Sequence, residues 1–388
     1  MSAREAVFCR ETLWHDTIRV STNVVAEEFV AHGWRCAWFT GPVALTRRFW
    51  RRGVQRRRLE LWRRGGVRRD DVLQYAPGIP ASWSWRPGLR SAWLGRNALR
   101  FAYPPLPRVL ARHDYSRRPR LLWIGSLSMA SAAAAVSADR VAYHAHDLFM
   151  DYPGAPSSLR AIERWLIDRA DGVFATSIGT RDALVERYGV DPAKVHFLGH
   201  GAHLDGYVPG PEPAELRDLP RPRAVLLGTL AEMDAGLLHG LARRRPDVSF
   251  VCIGPDGEYL RRDARGRRLD NVHVLGPRPH ERVPPYLMAS DVGLILYPFT
   301  GATDRRAGCL PMKALEYAAA GLPTVATWLP EYERIAAPLR SARSVEELHA
   351  MFDGACASDA AERPKIRAFA AAHAWSAKYD FICERLGL

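Results

Sequence analysis

The sequence predicts an α/β protein of two parallel-sheet domains in tandem, and three observations predict it. Short β-branched or aromatic runs alternate with stretches of helical length through the first half of the chain. A proline- and glycine-rich stretch, GYVPGPEPAELRDLPRPR from Gly206 to Arg223, interrupts the alternation, which then restarts. At 388 residues, the chain is also long for a single core.

The elements follow in order. AVFCRE reads as a strand, NVVAEEFVAHG as a helix and RCAWFTGPV as a second strand, which is a β-α-β beginning. After a basic segment come VLQYAP and an aromatic, proline-rich connector. LLWIG, the alanine-rich helix SMASAAAAVSA, VAYHAHD, the helix SLRAIERWLIDRA, GVFATS, RDALVERYG and VHFLGHG complete the first domain, 1–205. The second, 206–388, runs through AVLLGTL, DAGLLHGLARR, VSFVCIG, NVHVLG, HERVPPYLMAS, VGLILYPF, PMKALEYAAAG and PTVAT. Its tail from Ser344 to Leu388 is predicted to be helical and to pack back on the first lobe. Short strands each followed by a helix imply sheets covered on both faces, with ligands bound in a cleft at the strands' carboxyl ends.

Composition is that of an ordinary globular protein, 47% hydrophobic and 25% charged, so disorder is not the expectation. The six cysteines lie far apart without a C-x-x-C pair, which points to reduced thiols and to neither zinc nor a disulfide framework. No run of 18 or more apolar residues and no signal-peptide core occurs, so a cytoplasmic protein is expected.

The net charge of +13 is concentrated. Between Arg47 and Arg69, eleven arginines face the single Glu60, and Trp50, Leu59, Leu61 and Trp62 are interleaved with them. That pattern suits an anionic lipid surface, where aromatic rings sit at headgroup level and each cation contributes about 1 kcal/mol. Arg47, Arg48, Trp50, Arg51, Arg52 and Trp62 are the candidate contacts, making the protein peripheral at the inner face of the plasma membrane. The same residues also fit a solvated helix whose arginine stems pack on the body. Nucleic acid is not the expected partner, because no recognised binding motif accompanies the charge.

The stretch PMKALEYAAAGLPTVAT, residues 311–327, carries the chemistry of the second domain. Pro311 suits the first position of a helix, whose free amides and dipole favour an anion. Lys313 adds a cation there, which suits a diphosphate. Glu316 projects on nearly the same face, where it can accept hydrogen bonds from ribose hydroxyls. Together the pair describes a nucleoside diphosphate; an exposed i,i+3 salt bridge is the alternative.

EYAAAGLPTVAT resembles the donor-binding element of GT-B glycosyltransferases. The resemblance extends over GTLAEMDAGLLHGLARRRPDVSFVCIGP, NVHVLGPRPHERVPPYLMASDVGLILYPF and YHAHDLFMDYPGAPSSLRAIERWLIDRADGVFATS, segments similar to bacterial polysaccharide enzymes of the teichuronic-acid and xanthan glucuronosyltransferase types. It implies two Rossmann-like domains facing a cleft, a nucleotide-sugar donor bound without metal or cofactor, and a glycan or lipid-linked acceptor. It assigns Lys313 to the diphosphate and Glu316 to the ribose. Met312 and Tyr297 would flank the nucleotide, Gly228 would admit the phosphates, and Arg278 would sit near the base. His200 belongs to His200-Gly201-Ala202-His203, which stands in place of the common Asn-Gly-Val-Asp. Two departures are visible: Gly308 replaces an acid eight residues before Glu316, and the first loop lacks the usual glycine pair.

In the first domain, VAYHAHDLF places Asp147 at the end of a predicted strand. The xanthan-type resemblance makes Asp147 the general base of an inverting displacement, taking the proton of an attacking hydroxyl. His146 beside it, and His15 with Asp16 and Arg19 after the first strand, are further candidates on the acceptor side. Helix capping by Asp147 and an ordinary solvated loop around His15 stay open as alternatives. His144 and His146 alternate on the strand, yet a third metal ligand at recognisable spacing is missing. A soluble small-molecule acceptor and non-catalytic binding of a nucleotide sugar or nucleic acid are the competing functions.

Overall fold

The computed structural model describes residues 4–15, 20–44, 53–83, 88–152, 154–299, 311–359 and 361–388. Arg47, Arg48, Trp50, Arg51, Arg52, Asp16, Arg19 and Gly308 lie outside the described residues. Two units make up the chain, Met1–Gly199 with Trp375–Leu388, and His200–Ala374.

Among the described residues, ten strands belong to the first unit: β1 (Glu5–Cys9), β2 (Arg35–Phe39), β3 (Val43–Ala44), β4 (Val67–Arg69), β5 (Val72–Tyr75), β6 (Gly78–Ile79), β7 (Leu121–Ile124), β8 (Arg140–Ala145), β9 (Gly172–Ala175) and β10 (Val195–Phe197). Eight of them form one sheet in the order β10-β9-β8-β7-β1-β2-β5-β4, while β3 and β6 pair separately. Every neighbour in the large sheet is parallel except β4 against β5. Their hairpin turns at Asp70-Asp71, both at positive φ, as a two-residue turn between twisted strands requires. The end of the basic run is thus a strand, which the sequence reading does not anticipate.

Helices α1 (Ser21–Ala31), α2 (Gly53–Arg63), α3 (Ala92–Asn97), α4 (Leu106–Arg112), α5 (Ala132–Ala135), α6 (Ser158–Arg169) and α7 (Ile178–Tyr188) accompany this sheet. Alternate residues of β7 enter two separate cores, Leu121 and Trp123 one, Leu122 and Ile124 the other, as a sheet covered on both faces demands. The chain's last helix, Trp375–Leu386, shares the first of these cores with α1, and its Tyr379 ring lies 5.0 Å from that of Phe29. The alanine-rich segment is shorter as a helix than its sequence suggests. Ser126 Oγ accepts the Ser128 N–H, a local bond that competes with helix formation there, and Ser131 Oγ accepts the Leu99 N–H from 32 positions away.

The second unit holds β11 (Arg223–Leu227), β12 (Ser249–Ile253), β13 (Val272–Gly276), β14 (Val292–Ile295), β15 (Thr324–Thr327) and β16 (Arg340–Ala342), in the order β13-β12-β11-β14-β15-β16, all parallel. Helices α8 (Ala235–Arg244), α9 (Val283–Met288), α10 (Met312–Ala320), α11 (Pro330–Arg334), α12 (Val345–Cys356) and α13 (Glu362–Ala372) complete it.

The sequence reading divides the chain at 205/206 with a linker over 206–223, whereas the units divide at 199/200. The difference has a physical cause. Leu216 is fully buried in the core of the second unit, Glu212 pairs with Arg223, and Glu215 accepts the Tyr286 hydroxyl at 2.9 Å. Proline and glycine give that stretch its turns, and these contacts bind it to the sheet.

Candidate active site

In the second unit, the predicted donor residues collect around the N-terminus of α10. Pro311 is the residue preceding the helix and Met312 its first, one place later than the sequence suggests. Position in the fold is set by Tyr317, which sequence reasoning missed. Its buried hydroxyl accepts the Leu227 N–H at 2.9 Å and lies 3.1 Å from the Leu294 carbonyl, tying α10 to the ends of β11 and β14. Gly293 makes room for that ring: a Cβ there would stand 2.7 Å from Tyr317. The sequence signal was available in VGLIL and EYAAAG, a glycine inside a strand opposite an aromatic on a helix.

So anchored, α10 directs Lys313 beneath the carboxyl end of β11. The lysine is only 9% exposed, and its Nζ lies 5.0 Å from the centre of the Tyr297 ring, a cation-π geometry. Gly228, at φ +109°, leaves the ammonium accessible to the backbone: a Cβ would stand 3.0 Å from Lys313 Nζ. Gly254, also missed, is packed against it so closely that a side chain would meet the Gly228 carbonyl. The Tyr297 N–H donates to Thr327 Oγ1 at 3.1 Å, which fixes the loop after β14 to β15.

One turn further on, the half-buried Glu316 carboxylate stands 2.9 Å from His280 Nε2. Burial, and then the Glu316 charge, push the Tyr207 phenol well above its ordinary range. Arg278 is engaged elsewhere: its guanidinium donates to the Leu275 carbonyl at 2.7 Å and reaches Tyr286 and Glu215 at 3.2 Å each. His200 is half-buried at the start of the unit.

The first unit presents a different chemistry at the carboxyl end of β8. His144 is buried, and His146 follows the strand. Thr22 Oγ1 lies 2.8 Å from His146 Nε2 and 3.3 Å from His144 Nδ1, and Ser21 Oγ is 3.3 Å from His146 Nδ1. The start of α1 thus holds both nitrogens of the His146 ring, and Thr176 Oγ1 donates to its carbonyl at 2.7 Å. Asp147 follows, half-buried, in the bend before a 3₁₀ turn, with its carbonyl accepting the Phe149 N–H at 3.0 Å. His15 is exposed and paired with Asp70, Nε2 to Oδ2 3.0 Å. Ser21 and Thr22 escaped the sequence reading because the predicted helix began after them, although hydroxyl residues commonly open helices. Arg10 escaped as well; its buried guanidinium donates to the Gly125 carbonyl beside Thr22. Among the described residues, no group of three or more metal-ligating side chains is clustered.

Comparison with known proteins decides the family. The model of Glycosyltransferase Family 4 matches residues 24–205, and that of Glycosyl transferases group 1 matches residues 224–350. The chain belongs to the GT-B glycosyltransferases. Among relatives of this glycosyltransferase, a Bacillus subtilis (strain 168) glycosyltransferase named for teichuronic acid biosynthesis is 25% identical over 56% of the chain and 57% of its own length. A D-inositol 3-phosphate glycosyltransferase of Gordonia bronchialis is 30% identical over 31% of the chain and 30% of its own length. The glycosyltransferase therefore spans little more than half of the first relative and less of the second. Solved structures share its fold along almost the whole chain. A Rickettsia africae glycosyltransferase matches with a TM-score of 0.68 at 13% identity, covering 99% of this chain and 98% of that one. Anabaena Alr3699/HepE, solved with UDP, matches at 0.67 and 15% identity, with 99% of each chain covered.

Proposed function

We propose that this glycosyltransferase moves a sugar from a nucleoside diphosphate donor, a UDP- or GDP-sugar, to a hydroxyl of a lipid-linked glycan intermediate. One observation carries the reading: Lys313, Gly228 and Tyr297 converge at the start of α10, with Glu316 one turn on. A buried ammonium beside a backbone that has no side chain in the way suits a diphosphate. The carboxylate that follows suits the ribose hydroxyls.

In the proposed reaction, the acceptor oxygen attacks the anomeric carbon while Asp147 takes its proton, and the glycosidic bond to the diphosphate breaks with inversion. Lys313 and the α10 amides stabilise the charge that develops on the leaving diphosphate, so no metal ion is required. The Anabaena similarity supports the donor class, since that protein was solved with UDP, and the Bacillus relative is named for teichuronic acid biosynthesis. The lipid-linked acceptor and an anionic membrane surface rest on the arginine-rich run from Arg47 to Arg69. No helix among the described residues is long and apolar enough to cross a membrane.

Thermal-shift titration with UDP, GDP, ADP and TDP, with and without magnesium, tests the reading, since a ligand bound only by the folded state raises its stability by mass action. Stabilisation by UDP or GDP without metal is the expected result. Absence of any shift would overturn the donor assignment.

A further inference from the structure

We propose that the face formed by α2 and residues 93–103 of the first unit docks on an anionic phospholipid bilayer, with Trp93, Phe101 and Tyr103 as the inserting side chains. This deepens the lipid-linked acceptor reading above and rests on it for its purpose, though not for its test.

The large apolar side chains exposed in the first unit, among the described residues, gather here. Trp93 is 60% exposed, Phe101 52% and Tyr103 69%, and the fourth, Val54, lies on α2. Leaving so much aromatic surface exposed to water has no folding benefit, and clustered exposure of this kind marks a docking surface. Trp93 and Phe101 form one patch, ring centres 5.8 Å apart. The arginine helix joins it through Trp62, whose Nε1 donates to the Tyr103 carbonyl at 2.7 Å and whose indole packs over Gly78. Trp62 is therefore a post between the two segments, and the exposed rings lie on the second of them. Tyr103 N–H donates to the Gly78 carbonyl at 2.8 Å, in β6 just beyond the carboxyl end of β5. Tyr103 accordingly lies toward the same carboxyl end of the parallel strands from which Asp147 emerges.

Charge selects the occupant. From Val72 to His113 the chain holds six arginines and no acidic residue, and Arg100 is exposed beside Phe101. Arg56 and Arg57 are exposed on α2. A second copy of the chain would set this cationic face against itself, whereas anionic headgroups complement it while the rings enter the headgroup and upper acyl layer. Single-stranded nucleic acid also pairs aromatic rings with arginine, but there each ring presents a face to a base. Here Trp93 and Phe101 are tilted 36° to each other with their centres 5.8 Å apart, which does not make a flat platform for successive bases.

The test is co-sedimentation of the full chain with phosphatidylcholine vesicles, with and without phosphatidylglycerol. The wild type is compared with a Trp93→Ala, Phe101→Ala, Tyr103→Ala variant. Binding to the anionic vesicles should fall about tenfold or more in the variant. Its thermal midpoint should be unchanged, because all three side chains are exposed. Brominated lipids should quench the wild type more than Trp93→Phe, a readout that holds even if the triple variant folds poorly. Equal vesicle binding by both proteins would overturn the proposal. So would loss, in the variant, of only dimerisation or only oligonucleotide binding. Nucleotide shifts keep the two readings apart: aromatic-dependent vesicle binding without any nucleotide shift supports docking and sinks the donor assignment, and the converse sinks docking alone.

Discussion

His280 Nε2 lies 2.9 Å from Glu316 Oε1, so the carboxylate proposed to read the ribose is already oriented by a side chain from the loop after β13. If Glu316 accepts from ribose hydroxyls, its removal matters only when those hydroxyls are present. Glu316→Ala should weaken UDP about tenfold, as the loss of charged hydrogen bonds implies. It should leave the affinity of 2′,3′-dideoxy-UDP nearly unchanged. Calorimetry with both ligands checks this, and equal losses for the two would remove the ribose role.

Lys313 Nζ lies in reach of the Gly228 backbone, 3.0 Å from where a Cβ would stand. Lys313→Ala should lower nucleoside diphosphate affinity about tenfold to a hundredfold, the range for a charge-assisted hydrogen bond of about 1.5–3 kcal/mol. Nucleoside affinity should change much less. Calorimetry with UDP and uridine separates the phosphate contribution, and an unchanged UDP affinity would refute the assignment.

Asp147 and the His146 ring stand at the end of β8, in the other unit from the donor residues. Asp147→Asn keeps the shape and removes the proposed base. Turnover should drop by about 10²–10⁴, the usual contribution of general base catalysis. Donor affinity should remain within about twofold of the wild type, since Asp147 is not among the residues proposed to hold the donor. Retained turnover in a steady-state assay would dismiss it.

Tyr317 holds α10 against the sheet with a hydroxyl that accepts from Leu227 and reaches the Leu294 carbonyl. Tyr317→Phe leaves the buried Leu227 N–H without its acceptor, which should cost about 1–3 kcal/mol. Urea denaturation would show it. An unaltered midpoint would mean that Tyr317 does not set the helix.

Lys378, on the last helix, lies 5.7 Å from the Phe197 ring, and burial lowers its pKa to about 8. Because the unfolded chain holds that proton more tightly, between pH 8 and the ordinary lysine value of 10.5 the unfolded state binds more protons. Stability from this group therefore rises with pH across that window, and below pH 8 the charged form carries a constant penalty. Lys378→Met should raise the thermal midpoint at pH 7 and flatten its alkaline rise. An identical pH profile in the two proteins would exclude this penalty.

Much of this architecture was legible in the chain. The strand-helix alternation, the helix of PMKALEYAAAG and the strand of VAYHAHD lie where periodicity puts them, because period-2 and period-3.6 patterns report whether one element buries one face. Lys313 and Glu316 could be paired from spacing alone, since three residues along a helix are always neighbours. Tertiary structure decided the rest. Thr22 meets His146 across 124 positions, Tyr317 meets Leu227 across 90, and Trp62 finds the Tyr103 carbonyl across 41. It also decided that, of the tail expected to pack back on the first lobe, only the last helix joins the first unit, where Tyr379 packs on Phe29, and that Leu216 draws a proline-rich stretch into a core. Local pattern says which face of an element must be buried. What buries it depends on strand order and on every other face competing for the same core, and no local stretch of sequence carries that information.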